Sequence, residues 1–133
     1  MDDQEIRIEK ILGRDCKKSM STALKYKKYL STSIKLPCLL TGVEDFPWEE
    51  RYILGGSKKE YQKLKEENPS YTDKYELIEL LEPEAEEFEI IAKVKRITDD
   101  KIFQIGLSWL ESTTKNDSNY RILNDYSVWH INY

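Results

Sequence analysis

The sequence predicts an α+β fold in which helices cover one side of a small, strongly bent antiparallel sheet. Three apolar segments joined by short polar connections indicate the sheet, and they span residues 75–81, 89–95 and 101–107. A sheet of this kind can bury one face and leave the other in water. An SH3-like partial barrel is the more closed form that the same pattern allows.

Alternating side chains in the second and third segments predict the buried face. Successive side chains of a strand point to opposite faces, so the expected core positions are Ile90, Ala92, Val94, Phe103, Ile105 and Leu107. Ile91 then lies with Lys93 and Lys95 on the charged face, where it is exposed unless something covers it. Residues 107–111 predict a short helical turn that closes the sheet.

The chain before the sheet carries helix signals. A first short helix is expected to end at Gly13, and an amphipathic helix is expected over 21–31 after a capping serine at position 19 or 21. Its expected inward side chains are Leu24, Tyr26, Tyr29 and Leu30. Pro37 marks the start of a strand or an edge strand, because proline cannot donate a hydrogen bond to a sheet.

Further helical segments follow, and all belong to one expected domain. Pro47 is expected in a first helical turn, and Ser57 is expected to cap a polar helix over 58–67. From 119 to 133 the large side chains recur every three residues, at Tyr120, Leu123, Tyr126 and Trp129, which favours a helix with an inward aromatic side. The expected parts are a helical N-terminus (1–35), a middle segment (44–73), the sheet (74–111) and a tail (112–133).

Composition narrows the classes of function. The 133 residues carry a net charge of −4 and no concentrated basic cluster, so nucleic acid is not an expected partner. No apolar run reaches the roughly 20 residues of a membrane helix, so no membrane is expected either. Cys16 and Cys38 form no Cys-x-x-Cys pair, which favours free thiols in a reducing compartment. The N-terminus lacks the apolar segment of a signal peptide, and a cytoplasmic protein is therefore expected.

No catalytic set emerges from the sequence. His130 is the single histidine, and neither cysteine lies in a nucleophile signature. A zinc site is not expected, because it would need three or four suitable ligands and the two cysteines and the single histidine lie far apart in the sequence. We therefore expect a protein that is not an enzyme.

One connection is unusually acidic. Six carboxylates stand within the eleven residues 79–89, with no cation between them: Glu79, Glu82, Glu84, Glu86, Glu87 and Glu89. Such a cluster repels itself unless water or a cation neutralises it, and calcium accepts six to eight oxygen ligands. A solvated hairpin tip is the alternative. Asp99 and Asp100 occupy the neighbouring connection.

Two stretches carry a family resemblance. The first is Tyr26-Lys27-Lys28-Tyr29-Leu30 with the following Ile-Lys-Leu-Pro-Cys at 34–38. The second is 75–111, where a strand leads into a glutamate-rich turn, then a strand with a basic end, then a closing strand. Together they resemble the small prokaryotic calcium-binding protein family first recognised in cyanobacteria. Relative to its short members, segment 44–73 looks like an insertion and the C-terminal tail like an addition.

The resemblance implies calcium as the ligand and assigns Glu84, Glu86 and Glu87 to the acidic turn that binds it. With Asp99 and Asp100 these residues form the predicted metal site. The expected function is a non-enzymatic cytoplasmic protein that binds calcium. The alternative is a protein interaction module, such as an immunity-type inhibitor whose acidic surface binds a basic toxin. The sequence leaves the oligomeric state open.

Overall fold

The computed structural model describes residues 2–133 and contains, within them, five α-helices and five β-strands. The helices are α1 (Asp3–Leu12), α2 (Met20–Ser33), α3 (Glu50–Ile53), α4 (Lys58–Glu67) and α5 (Ser118–Asn132). The strands are β1 (Leu39–Gly42), β2 (Lys74–Leu81), β3 (Ile91–Arg96), β4 (Ile102–Gly106) and β5 (Leu110–Ser112). None of the helices in this described part is long and apolar enough to cross a membrane.

The strands form one antiparallel sheet in the order β4-β3-β2-β1-β5. This confirms the predicted α+β class, and the sheet is open, with β4 and β5 at its edges. The pairing of β2 with β3 shifts by one residue between Leu77 and Glu79. A bulge of this kind increases the local twist and bends the strand.

Strand β5 was not expected from the sequence. Residues 107–111 were predicted to form a helical turn, and Leu107–Trp109 do form a 3₁₀ turn. The chain then extends and pairs with β1, so that Leu40 lies opposite Ser112 and Gly42 opposite Leu110. Three residues are too few for alternation to be visible, and the partner strand lies far away in the sequence. As a result β1 is an inner strand, and Pro37 lies just before it.

Helix boundaries follow local capping chemistry. Helix α1 ends at Gly13, which has a φ of 86°, as predicted. The Ser19 side chain caps α2 in a reciprocal capping box with Thr22, and Ser57 caps α4 as expected. The expectation for Leu24 was wrong, because this side chain is 41% exposed and faces away from the core.

The core lies between the inner face of the sheet and helices α1, α2 and α5. Tyr26, Tyr126 and Trp129 are fully buried, and the rings of Tyr26 and Trp129 lie 5.1 Å apart. The inward aromatic side predicted for the tail is therefore confirmed at Tyr126 and Trp129. The predicted core positions Ile90, Ala92 and Val94 are also fully buried.

A buried carboxylate organises the middle segment. Glu49 is 0% exposed, and its oxygens accept hydrogen bonds from the Tyr61 hydroxyl at 2.5 Å, the Ser70 hydroxyl at 2.7 Å and the Tyr71 backbone N–H at 2.8 Å. These donors come from α4 and from the turn before β2. Glu49 therefore joins both ends of segment 44–73.

Candidate functional site

The acidic connection between β2 and β3 folds into a closed turn. The Glu84 N–H donates to the Glu89 carbonyl at 2.9 Å, and the Phe88 N–H donates to the Glu84 carbonyl at 3.0 Å. Phe88 adopts a φ of 59°, which is uncommon for a bulky residue. Its ring packs against the core, which helps to hold this conformation.

Glu84 is the carboxylate that organises the turn. It accepts hydrogen bonds from the backbone N–H groups of Glu86, at 2.9 Å, and of Glu87. The Glu86 N–H, with a further contribution from that of Glu87, holds the pKa of the Glu84 carboxyl below its usual value. The carboxylate is therefore charged at neutral pH, while the side chains of Glu86 and Glu87 are exposed beside it.

Glu89 has a different role from the other glutamates in the cluster. It is 7% exposed and accepts hydrogen bonds from the Ser108 backbone N–H at 3.0 Å, from the Ser108 hydroxyl, and from the Tyr126 hydroxyl at 2.6 Å. Tyr126 in turn accepts the Ile90 N–H at 2.9 Å, and burial raises the pKa of this tyrosine. Glu89 thus links the turn to α5, and it is not free to bind a ligand.

His130, for which the sequence offered no partner, contacts this same cluster. Its Nε2 lies 3.6 Å from Glu89 Oε2 and 3.1 Å from the Glu87 carbonyl oxygen. Serine, carboxylate and histidine therefore meet here, but the carboxylate lies between the other two. Ser108 donates to one oxygen of Glu89 while His130 faces the other, so the imidazole is not placed to take the serine proton.

Cations lie beside the acidic connection in space, although the sequence places none within it. Lys27 Nζ is 3.2 Å from Glu82, Lys18 Nζ is 3.8 Å from Glu87, and Lys93 Nζ is 3.9 Å from Glu79. These lysines come from α2, from the segment before it, and from β3. The repulsion inferred from the sequence is therefore partly relieved without a metal.

Asp99 and Asp100 lie at the other end of β3. Successive hairpin connections of an antiparallel sheet emerge at opposite ends of the strand they share, and six residues at about 3.3 Å each separate them by about 20 Å. Asp99 is paired with Arg96 at 2.7 Å, which lowers its pKa to about 2. A separation of this size keeps Asp99 and Asp100 away from the acidic turn, and a metal site that joins both connections stays a prediction.

The remaining glutamates of the turn are near one another but do not converge. Within residues 2–133, no three side chains of His, Cys, Asp or Glu are grouped so that they could hold a metal ion. An ion at Glu84, Glu86 and Glu87 would therefore need movement of the two exposed side chains. Main-chain carbonyls and water would have to complete its coordination.

Comparisons with known proteins give structural matches alone. The chain is similar to the crystal structure of Anabaena CcbP, with a TM-score of 0.61 and 18% identity over 97% of this chain and 90% of that chain. It is also similar to a calcium binding protein in the calcium-binding form, with a TM-score of 0.54 and 18% identity over 95% and 87% of the two chains.

No protein family model matches the chain, and no curated protein matches it in sequence. The status of segment 44–73 as an insertion, and of the tail as an addition, stays a prediction. The two structural matches agree with the family resemblance in the sequence, and at this identity they establish the fold. The chain therefore has the α+β fold of Anabaena CcbP and of the calcium binding protein.

Proposed function

We infer that this protein is a non-enzymatic calcium-binding protein that holds the ion in the turn between β2 and β3. The observation that carries this proposal is the clustering of Glu84, Glu86 and Glu87 within four residues of a closed, exposed turn. The shared fold supports it, because one structural neighbour is described as a calcium binding protein in the calcium-binding form. Asp99 is occupied by Arg96 and lies outside the proposed site.

The donor chemistry of the turn fits calcium. Carboxylate and carbonyl oxygens are the ligands this ion prefers, and it tolerates irregular coordination. Each carboxylate oxygen offers about two lone-pair sites, so Glu84 can keep its bonds to the turn N–H groups and still contact a cation. When bound, calcium would neutralise the charge of the turn. Lys18 beside Glu87 competes for this role.

The arrangement predicts weak affinity. The ligands are few, two of them are exposed side chains, and one has a lysine neighbour at 3.8 Å. We expect a Kd of about 10⁻⁵ to 10⁻³ M, the weak end of the range for calcium sites in proteins. Magnesium should bind less well, because it requires a tight octahedron and gives up water reluctantly.

The remaining features of the chain agree with a non-enzymatic protein of a reducing compartment. Cys16 and Cys38 are both free thiols, as expected in the cytoplasm. Burial raises the pKa of the Cys38 thiol to about 11, which leaves it unreactive at neutral pH. His130 is explained by its contacts with Glu89 and the Glu87 carbonyl.

The test is thermal unfolding in calcium and in magnesium at equal ionic strength, with isothermal titration calorimetry alongside. Calcium at about a hundredfold excess over Kd should stabilise the native state by about 2.7 kcal/mol, and magnesium should stabilise it less. The triple change Glu84→Gln, Glu86→Gln and Glu87→Gln should abolish the difference between the ions. Glu44→Gln, Glu50→Gln and Glu66→Gln give a matched control, since these exposed side chains lie outside the turn.

Equal responses to both ions, in the wild type and in both triple variants, would refute the calcium proposal. The acidic turn would then be a solvated hairpin tip. In that case the protein interaction module becomes the better explanation, because the turn presents Glu82, Glu86 and Glu87 as exposed charges that suit a basic partner.

A further inference from the structure

The outer face of the sheet carries side chains in an ordered pattern. One row runs across four strands, because Leu39 lies opposite Glu76, Glu76 opposite Lys95, and Lys95 opposite Ile102. Directly opposed residues in a sheet point to the same face. The row therefore reads apolar, acidic, basic, apolar. Leu39 and Ile102 are 44% and 49% exposed, which is high for side chains of this type in strands.

The next row repeats the acidic and basic pair, and the row after it is apolar. Glu79 lies opposite Lys93, and Leu81 lies opposite Ile91. Glu79 Oε1 and Lys93 Nζ are 3.9 Å apart, and their side chains are 56% and 38% exposed, so both charges can still engage a partner. This face thus has an acidic column on β2 beside a basic column on β3, with apolar side chains at both ends of the first row and with Gln104 opposite Lys93.

Such a face is complementary to itself. A twofold axis parallel to the strands and between β2 and β3 places each β2 side chain over the β3 side chain of the same row in a second copy. Glu76 then faces Lys95 and Glu79 faces Lys93. The same rotation places Leu39 over Ile102, so the apolar ends of the row also meet.

The third row and the end of the face fit the same rotation. Leu81 of one copy meets Ile91 of the other, so that these two partly exposed side chains cover each other. Lys74, paired in the backbone with Ile97, falls at the end of the face. There its alkyl stem can cover Ile97 while the ammonium group reaches water.

We propose that the outer face of this sheet is a homodimer interface, in which two copies pack face to face about that axis. Homodimers of this symmetry use the same patch on both subunits, and sheets that pack face to face lie about 10 Å apart. Four strands spaced about 4.8 Å apart and about six residues long give a face of roughly 20 by 20 Å. Interfaces of that size are weak, so the dimer should form and dissociate with concentration.

Sedimentation velocity on the full chain tests the proposal. The average mass should rise from that of a monomer toward that of a dimer between about 10 and about 500 µM, and the rise should be smaller in high salt. A monomer throughout this range overturns the proposal. Circular dichroism checks that each variant below is folded.

Two charge variants locate the interface. Lys93→Glu with Lys95→Glu makes both columns acidic, while Glu76→Lys with Glu79→Lys makes both basic. Each variant alone should remain monomeric, and mixing the two should restore association, because an all-acidic face then meets an all-basic one. Lys58→Glu with Lys59→Glu, on the exposed side of α4, changes the net charge as the first variant does and should dimerise like the wild type. If the face variants dimerise as the wild type does, or fail to associate on mixing, this face is not the interface.

Discussion

Replacement of the buried Arg96 should destabilise the protein more than removal of an exposed charge on the sheet. Its guanidinium is 3% exposed and pairs with Asp99 at 2.7 Å and Asp73 at 3.1 Å. The same group donates to the main-chain carbonyls of Lys65, Glu66 and Asn68 at 2.7 to 3.0 Å. Arg96 therefore joins the end of α4 to β2 and to the β3–β4 hairpin.

Arg96→Met removes all of these donors while keeping a long apolar side chain. Breaking a buried ion pair by removing one partner costs about 3–5 kcal/mol, and the exposed Asp99 adds little to this. With roughly 3–5 °C of Tm per kcal/mol for a chain of this size, Tm should fall by about 10–20 °C. Arg96→Lys keeps the charge but loses the planar guanidinium group, so its Tm should lie between those of the wild type and Arg96→Met.

Urea unfolding monitored by circular dichroism measures the loss. Lys101→Met is the matched control, because Lys101 Nζ also donates to the Glu66 carbonyl, at 2.8 Å, but from a more exposed position. It should change the free energy of unfolding by about 1 kcal/mol or less. The reasoning is refuted if Arg96→Met behaves like Lys101→Met.

Acid sensitivity gives an independent readout of the same contact. Arg96 lowers the pKa of Asp99 from an ordinary 3.8 to about 2 in the folded chain. A carboxylate whose folded pKa is depressed stabilises the fold above its unfolded pKa, and this stabilisation disappears as the pH falls through the folded value. The wild type should therefore lose stability between about pH 4 and pH 2, and Arg96→Met should lose less over that window. An unchanged pH dependence would contradict the assigned pairing.

Two further substitutions test the packing of α5. Trp129→Ala should cost about 3–5 kcal/mol, since the ring is fully buried and its Nε1 donates to the Cys16 carbonyl at 2.8 Å; an unchanged Tm would show that the tail is dispensable. Tyr126→Phe should cost about 1–3 kcal/mol in urea unfolding, because it leaves Glu89 and the Ile90 N–H each short of a partner. Its control is Tyr26→Phe, which removes a hydroxyl that is buried without a hydrogen-bond partner among residues 2–133; a larger loss at Tyr26 than at Tyr126 would contradict this account.

Local chemistry explains which parts of the fold were predictable. Ser19 and Ser57 act on the N–H groups of the next few residues, so the starts of α2 and α4 can be read from a short window. The inward positions of β3 follow from alternation within the strand. Strand β5 depends on β1, about 70 residues earlier in the sequence, and no pattern within three residues can reveal that pairing.

The same distinction between local contacts and contacts from distant elements applies to the candidate site. Glu84, Glu86 and Glu87 are neighbours in the sequence and lie on one turn, but within residues 2–133 their side chains do not form a group that could hold a metal ion. The cations beside the acidic connection come from elsewhere in the chain, because Lys27 lies in α2 and Lys18 in the segment before it. Arg96 pairs with Asp99, so this carboxylate lies outside the proposed site. A count of charges along the chain cannot register cations that arrive from other elements, so the acidic connection looked less neutralised than it is.

The distinction between buried and exposed carboxylates also decides how the calcium proposal must be tested. Glu89 belongs to the same acidic run as Glu84, yet its oxygens are occupied by Ser108 and Tyr126. Glu89→Gln would place amide hydrogens against groups that already donate, and would loosen α5 as well as the turn. Loss of calcium binding in that variant would therefore report unfolding as readily as loss of a ligand. Glu86→Gln and Glu87→Gln change exposed side chains and therefore separate ion binding from stability, whereas Glu84→Gln also weakens the hydrogen bonds that hold the turn.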